Sequence, residues 1–318
     1  MTSALFQVVQ FVHPGFEYHR AEHVGGANVR SGVMGWKPGN SKHDRKFMLA
    51  RGSVLDWESG RNRPSTSIAF WGEWEGPSVF WKLEHPPGKP KPSIIHAPFR
   101  PAKRPIEPIQ NTDPMVFGDA FIYSNCLQHA YASLRSLEPG SIVLFGRHSR
   151  VDGQRSFSLD TCLVIERAGT LAPRDAATQS YGADLLTDAV LAPLQTEGAV
   201  GTLTVYFGRG RSDNSTEPFS FFPAREANGS LPLFARPRLS PARALAGVIS
   251  PDNMQGINNS SVSVSSRDEI WAEVVSQVTE QGCGLGYHAA PPPFLDRTVA
   301  ELAARGVQTP MLEDVPTA

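Results

Sequence analysis

Cysteine is scarce in this sequence, which contains three, Cys126, Cys162 and Cys283, among 318 residues. Their odd number and wide spacing fit neither a disulfide framework nor a zinc-binding pattern. No apolar run approaches the roughly 20 residues that a bilayer-spanning helix needs. The first residues also lack the basic and apolar segments of a signal peptide. We therefore expect a protein of the reducing cytoplasm that has no membrane partner.

The common motifs of cofactor and nucleophile chemistry are missing as well. The sequence contains no Walker loop, no G-x-G-x-x-G, no G-x-S-x-G, no H-E-x-x-H and no kinase signature. His13, His19 and His23 lie within eleven residues, but no Asp or Cys stands at a metal-ligand spacing from them. We expect His19 and His23 to lie in a surface loop, and we predict neither a metal nor another cofactor.

The charge of the chain is small overall but unevenly distributed. Residues 1–155 contain 19 Lys and Arg against 13 Asp and Glu, whereas residues 156–318 contain 11 against 18. The positive charges fall in four clusters: Lys37–Lys46, Lys89–Lys91, Arg100–Arg104 and Arg147–Arg150. Such clusters can bind phosphates, or they can be solvated loops. The sequence leaves both interpretations open.

Short apolar and alternating segments predict a fold rich in β-strands. The clearest are Phe6–Val12, Ser67–Glu75, Ser78–Leu83, Gly140–Gly146, Ser156–Glu166 and Gly201–Gly208. The second and third of these predict a hairpin around Gly76 and Pro77. Helices are predicted at residues 125–137, 239–247, 266–280 and 297–305, the third with Ser266 as its N-cap.

Because strands and helices do not alternate along the chain, we predict an α+β fold. Its core would be a mixed, curved β-sheet of eight or more short strands, with a few mostly C-terminal helices. A hydrophobic content of 40% permits a substantial core. We expect residues 1–318 to form a single domain, with a boundary at residues 170–200 as the alternative.

The segment Gln110–His129 is unusually rich in functional groups. It contains two carboxylates, four amides, a phenol, a thiol and an imidazole among aromatic residues. Buried polar groups need partners, so a purely structural segment rarely concentrates them. We interpret the segment as the floor of a site, with Asn111 and Asp113 as its chemical groups. Cys126 and His129 would share a helix face, which more often means a half-buried Cys beside a surface His than a catalytic pair.

A second informative segment is Ser67–Glu75. The alternation of a strand would place Trp71, Glu73 and Glu75 on one face. A carboxylate between two Trp residues is either an acid of raised pKa in an apolar pocket or a residue on the rim of a sheet. Both interpretations remain open.

Polar residues at predicted strand ends would converge if one sheet holds them all. The set comprises His13, Glu73, Asn111 with Asp113, Arg147 with His148, and Arg209. Together with Trp71, Trp74, Phe117 and Tyr123, they suit a planar polar ligand attached to phosphate. A carboxylate beside a nucleobase could activate water, or it could stabilise the positive charge that develops when a glycosidic bond breaks.

Three pieces of the first half carry a resemblance: His13-Pro14-Gly15, Phe70-Trp71-Gly72-Glu73-Trp74-Glu75, and Asn111-Thr112-Asp113-Pro114 through Tyr123-Ser124-Asn125-Cys126. They resemble a group of bacterial proteins encoded near DNA-modification and phage-defence genes. Some anti-phage proteins of that kind are DNA glycosylases that excise modified bases. Asn111-Thr112-Asp113-Pro114 is also similar to the water-activating Gln-Asp-Pro loop of uracil-DNA glycosylases.

The resemblance implies a DNA glycosylase that hydrolyses the N-glycosidic bond of a modified base in phage DNA, and thus a partner in DNA carrying modified bases. The expected catalytic residues are Asp113, Asn111 and Glu73. The expected substrate-binding residues are Trp71, Trp74, Phe117, Tyr123, His13, Arg45, Lys46, Arg147 and His148. Arg45, Lys46 and Arg147 would hold phosphate groups, and the base would be flipped out of the duplex.

Two other functions fit the same residues. A non-catalytic reader would bind a modified base with the aromatic residues and basic rim, without breaking a bond. An enzyme that acts on a small molecule unrelated to nucleic acid is the third hypothesis.

Overall fold

A computed structural model of the chain describes residues 5–13, 16–17, 31–39, 42–83, 92–103, 105, 107–151, 153–172, 184–196, 201–213, 215–228 and 231–295. The fold is α+β, which confirms the predicted class. The predicted helix at residues 297–305, His19, His23 and the basic cluster Lys89–Lys91 lie outside the described residues.

Strands make up most of the described secondary structure. They are β1 (Phe6–Val12), β2 (Phe16–Glu17), β3 (Ser31–Met34), β4 (Asp44–Asp56), β5 (Arg61–Glu73), β6 (Ser78–Lys82), β7 (Ile94–Pro98), β8 (Arg100–Pro101), β9 (Ile122–Tyr123), β10 (Ile142–Val151), β11 (Gln154–Leu171), β12 (Leu203–Gly208), β13 (Phe222–Glu226), β14 (Arg238–Leu239), β15 (Gly256–Val262), β16 (Gly284–Ala289) and β17 (Phe294–Leu295).

Helical segments are few in the described part of the chain. Two 3₁₀ turns span Ala132–Arg135 and Arg243–Leu245, and a π-helical turn, Thr187–Leu191, runs into α1 (Ala192–Thr196). The one long helix among the described residues is α2 (Val264–Glu280). No helix in this part of the chain is long and apolar enough to cross a membrane.

Most of the described strands form two large sheets, and β8 pairs with β17 in a separate two-stranded sheet. The first has the order β15-β1-β10-β11-β12-β9, with β14 beside β11. The second has the order β16-β13-β5-β4-β7-β6-β3, with β2 beside β4. In the first sheet β1 and β10 are parallel, whereas β10 and β11 form a long antiparallel hairpin. In the second, β4 and β5 form another such hairpin.

Both faces of the first sheet are buried. Val8 and Val12 of β1 belong to one apolar cluster, which includes the inner face of α2. Val9 and Phe11 belong to another, which includes Phe70 of the second sheet. Burial on both faces explains why β1 reads as a nearly continuous apolar run and not as an alternating one.

Helix α2 confirms the predicted amphipathic helix. The side chains of Ile270, Val274, Val275 and Val278 are buried, as their spacing predicts. The N-cap is Ser263, three residues before the predicted Ser266, and its hydroxyl accepts a hydrogen bond from the Ser266 N–H.

Three local predictions are wrong. Residues 78–83 do not form a hairpin with residues 67–75, because both edges of β5 are taken by β4 and β13, and β6 pairs with β3 and β7. Residues 125–137 contain turns and a 3₁₀ segment instead of a helix, and Leu127 has a left-handed φ of 58°. Residues 239–247 contain the end of β14 and the second 3₁₀ turn.

Candidate active site

The β4–β5 hairpin builds a cluster of charged side chains between the strands and their neighbouring loops. Arg45 of β4 lies directly opposite Glu73 of β5. His43 precedes Arg45 by two residues and Glu75 follows Glu73 by two, so strand alternation directs all four to one side. Trp71, the preceding residue of the same parity, continues this face into the apolar core.

A chain of buried ion pairs extends from Glu73 across to the first sheet. The Arg45 guanidinium is paired through Nη1 with Glu73 Oε2, and its Nε lies 3.2 Å from Asp160 Oδ2. Arg236 Nε lies 2.9 Å from the other oxygen of Asp160, and its guanidinium stacks 4.8 Å from the Trp71 ring centroid. Every member of the chain is buried. Isolated charges are costly in such surroundings, so each depends on its partner.

A β-bulge points Asp160 into this chain. In the β10–β11 pair, Thr161 faces Phe145 and Leu159 faces Gly146, so Asp160 is the additional residue on β11. A bulge re-aims the side chain of the additional residue. The first sheet thereby contributes a carboxylate to a cluster that otherwise comes from the second.

His43, Glu73 and Glu75 meet at the edge of the cluster. His43 Nδ1 lies 2.9 Å from Glu73 Oε1 and 3.4 Å from Glu75 Oε1. Both carboxylate side chains have no exposed surface, whereas the His43 side chain is 19% exposed. The neighbouring Lys37 side chain, paired with Asp44, is 14% exposed. The cluster therefore reaches solvent at His43 and Lys37.

His13 connects the cluster to Cys126. His13 Nε2 lies 3.0 Å from Cys126 Sγ and 3.8 Å from Glu73 Oε2. The His13 and His43 rings are 5.3 Å apart in an edge-to-face arrangement. Burial, together with the negative charge of Asp113, raises the pKa of the Cys126 thiol. A thiol held protonated is a poor nucleophile, so the short contact with His13 does not make an activated cysteine.

The loop before Asp113 fixes both glutamates. The Asp113 backbone N–H donates to Glu73 Oε1 at 2.7 Å. The Glu75 backbone N–H donates to the Thr112 hydroxyl at 3.1 Å. Asn111 belongs to the same loop and is buried. Its side-chain amide nitrogen has no hydrogen-bond partner among the described residues. The loop thus lies along Glu73 and Glu75.

The Asp113 carboxylate has a structural task. Its two oxygens accept hydrogen bonds from the backbone N–H groups of Ser124, Asn125 and Cys126, at 2.9, 2.7 and 2.6 Å. Burial raises the pKa of Asp113, and the three N–H groups oppose that rise. A helix starting at Asn125 would leave its first backbone N–H groups without acceptors. The Asp113 carboxylate accepts from two of these groups, the N–H of Asn125 and of Cys126, without a helix being formed. Both oxygens are engaged inside the protein, so the geometry favours Glu75, whose Oε2 has no hydrogen-bond donor among the described residues, over Asp113 for contact with a substrate.

We expect Asp113→Ala to lower the free energy of unfolding by about 2–4 kcal/mol, because three buried N–H groups would lose their acceptor. Urea unfolding measures the change. Asp119→Ala is the matched control, since Asp119 is exposed a few residues away and should shift stability by no more than about 0.5 kcal/mol. A loss below about 1 kcal/mol in the Asp113 variant would contradict this structural role.

Electrostatics keep Glu75 ionised. Burial alone would raise its pKa, but contact with His43 and the charges of Lys46 and Lys37 outweigh burial and lower it. Asp44 behaves differently: burial and the Glu75 charge raise its pKa to about 6, although its partner Lys37 opposes the rise. Burial also lowers the pKa of Arg45. Glu75 is thus a stable anion at the solvent-reaching edge of the cluster.

The aromatic residues predicted to stack a base lie in the core. Trp71 is buried beneath Arg236, and its indole N–H donates to the Phe234 carbonyl. Trp74 faces the opposite side of β5 and packs edge-to-face on Phe117. Tyr123 stacks on Tyr206 and donates its hydroxyl proton to the Cys126 carbonyl. None of the four predicted stacking residues flanks the edge at His43.

The predicted phosphate-binding residues divide into two groups. Arg45 and Lys46 are buried, Arg45 in the ion-pair chain and Lys46 against the Trp74 carbonyl, so they do not form a basic rim. Arg147 and His148 lie half-buried in the β10–β11 hairpin. Burial and the charges of Arg155, Arg150 and Arg147 lower the pKa of His148.

The structure brings some of the predicted site residues together and adds others to them. Glu73, Asp113, His13 and Arg45 converge, and Asn111 lies in the same loop as Asp113. His43, Glu75, Asp160 and Arg236 complete the cluster but were not among the predicted site residues. The i, i+2 pairs His43–Arg45 and Glu73–Glu75 in two facing strands were the available signal for the first two. The direction of the Asp160 side chain depends on a β-bulge that the sequence pattern does not predict.

Comparisons of the chain with protein-family models, with curated proteins and with solved structures return no match.

Proposed function

We propose that the protein is a hydrolase acting on nucleobases, most concretely a DNA glycosylase that removes a modified base from phage DNA. The observation that carries this proposal is the convergence of His43, Glu73 and Glu75 where the buried cluster reaches solvent. Paired carboxylates catalyse hydrolysis at a sugar carbon that develops positive charge, and a neighbouring imidazole can act as a general acid or base.

The chemistry needs two things from the protein. As the bond between C1′ and the base nitrogen breaks, positive charge develops on the sugar, and anionic oxygens of Glu73 or Glu75 would stabilise it. Water must also be oriented for attack, and the imidazole of His43 lies at the solvent-reaching edge for that purpose. The water oxygen bonds to C1′ and keeps one proton as the new sugar hydroxyl, its other proton passes to the departing base, and the products are a free base and an abasic site.

Recognition of a base is supported by Asn111. This buried residue is next to Thr112, which contacts the Glu75 backbone, and its amide N–H₂ is a donor without a hydrogen-bond partner among the described residues. Amide groups of this kind pair with the edge of a flipped base. A substrate that supplies the missing acceptor would satisfy the amide.

Contact with the DNA backbone is supported by the outer half of the β10–β11 hairpin. It begins just past Gly146, whose carbonyl accepts a hydrogen bond from the His13 N–H. Arg150 is exposed, and Arg155 is exposed apart from its ion pair with Asp252. Exposed arginines on a hairpin that extends away from the cluster are suited to phosphates.

The test is incubation of the untagged chain with unmodified DNA and with hypermodified phage DNA. Released bases are identified by mass spectrometry, and abasic sites are detected by alkaline cleavage. We expect a free base and abasic sites from the modified DNA alone. Salt-sensitive binding without release would instead support a non-catalytic reader. If the protein neither binds DNA nor releases a base, the remaining hypothesis is an enzyme with a small-molecule substrate.

A further inference from the structure

We propose that His43, Glu73 and Glu75 form a binding site for one divalent transition-metal ion of the Zn²⁺ or Co²⁺ class. This inference rests on the proposed function and deepens it, since it names what would activate water at the same place. Nδ1 of His43 and one oxygen of each glutamate all lie within 4.8 Å of one another. One imidazole and two carboxylates, with a fourth position left for water, supply the three protein ligands of a catalytic zinc ion, all of donor types that bind zinc.

The spacing of the ligand atoms fits a shared ion. Bonds of about 2.0–2.1 Å that meet at angles between 90° and the tetrahedral value place two ligand atoms about 2.9–3.4 Å apart. His43 Nδ1 lies 2.9 Å from Glu73 Oε1 and 3.4 Å from Glu75 Oε1. Both separations therefore agree with ligands of one coordination sphere.

Hydrogen bonding points the same way. Although His43 Nδ1 is so close to two carboxylate oxygens, it makes no hydrogen bond of acceptable geometry within the described residues. Glu75 is fully buried, and its Oε2 likewise has no hydrogen-bond donor there; Lys37 Nζ is 4.0 Å away. His43 Nδ1 is already within ion-pairing distance of both glutamates, so the group that needs a further partner is the buried Glu75 Oε2, and a cation supplies it.

The surroundings hold the ligands in place. Glu73 Oε1 accepts from the Asp113 N–H, and Glu75 Oε1 accepts from the Asp44 N–H, each at 2.7 Å. The other Glu73 oxygen is paired with Arg45. Outer contacts of this kind orient ligating carboxylates and are a regular part of metal sites.

The net charge of the cluster is also compatible with a bound cation. Among the described residues, five carboxylates belong to the cluster, Asp44, Glu73, Glu75, Asp113 and Asp160, against four cations, Lys37, Arg45, Lys46 and Arg236. With neutral histidines the formal charge is therefore −1. A divalent ion with one bound hydroxide carries +1 and would balance it.

The bound ion would give the hydrolysis its nucleophile. A divalent ion lowers the pKa of its bound water, and the proton released goes to the solvent. The hydroxide oxygen then bonds to C1′ while the bond from C1′ to the base nitrogen breaks. The base leaves with the bonding electron pair and takes a proton from water.

The test is metal binding by the untagged, chelator-treated full chain, without DNA. Calorimetric titration with Zn²⁺ should give one site per chain, and Co²⁺ should give the visible absorption of a tetrahedral complex. Mg²⁺ should bind far more weakly, because it prefers an octahedral sphere of oxygen atoms. His43→Ala and Glu75→Gln should each weaken Zn²⁺ binding at least about 100-fold. His129→Ala, at an exposed histidine, should leave it unchanged.

The outcomes separate this inference from the proposed function. Failure of Zn²⁺ and Co²⁺ to bind stoichiometrically, or binding that survives His43→Ala, would overturn the metal site. Base release by the metal-free protein at an undiminished rate would overturn the role given to the ion while leaving the proposed function intact. One-site binding that depends on His43 and Glu75, with no base released from any DNA, would support the metal site and count against the glycosylase.

Discussion

Arg45→Met is expected to lower the free energy of unfolding by about 3–5 kcal/mol. The substitution keeps most of the side-chain volume but removes the cation that pairs with both Glu73 and Asp160. Those two carboxylates are buried, so each would be left with less compensation in a medium that solvates charge poorly. Breaking one member of a buried ion pair is among the largest single-residue effects on stability.

Arg155→Met is the matched control. Arg155 makes an ion pair with Asp252 at 2.8 Å, but both side chains are substantially exposed. Exposed pairs contribute about 0–1 kcal/mol. Urea unfolding of the two variants should therefore separate them by at least about 2 kcal/mol. Equal losses would mean that the ion-pair chain through Arg45 does not hold the two sheets together.

Glu75→Gln is expected to lower the rate of base release by about 100-fold or more while leaving the protein folded. The substitution keeps the size of the side chain and an oxygen that can accept from the Asp44 N–H. It removes the negative charge that the surrounding cations maintain, and with it the ability to stabilise positive charge on the sugar or on a bound ion.

The control for this variant is Glu217→Gln, because Glu217 is exposed and pairs with Arg209 on the surface. Release rates are measured by mass spectrometry of the free base under single-turnover conditions, together with urea unfolding of both variants. If Glu75→Gln is stable and releases base as fast as the wild type, Glu75 has no part in the reaction.

Much of the fold could be predicted because strand periodicity is a local property. The apolar run Phe6–Val12 matches β1 in both bounds. The predicted segments Gly140–Gly146 and Ser156–Glu166 correspond to β10 and β11, although both strands extend further. The extensions on either side of the β10–β11 turn, residues 147–151 and 154–155, are mostly polar and carry no apolar pattern to mark them.

Partner choice could not be predicted, because it depends on residues distant in sequence. The short link at Gly76 and Pro77 favoured a hairpin, but β5 already has β4 and β13 as neighbours. Likewise, a helix at residues 125–137 fits the local pattern. The backbone N–H groups at its start instead bind Asp113, and Leu127 takes a left-handed conformation. In both places tertiary contacts overrode local preference.

In the candidate site, too, local patterns could be predicted and tertiary contacts could not. Alternation alone predicts that Trp71, Glu73 and Glu75 share a face, and the side chains do so. Whether that face is open to solvent is decided by what packs on it. Arg236 and Asp160 come from other parts of the chain and close the face at Trp71, so the aromatic residues become core and the open edge moves to His43.

The most direct measurement is base release from one hypermodified phage DNA by the wild type, His43→Ala and His129→Ala, with unfolding curves for all three. We expect the wild type and His129→Ala to release the modified base at equal rates. We expect His43→Ala to be folded and at least about 100-fold slower. A folded His43→Ala variant that releases base at the wild-type rate would contradict the assignment of catalysis to the cluster of His43, Glu73 and Glu75.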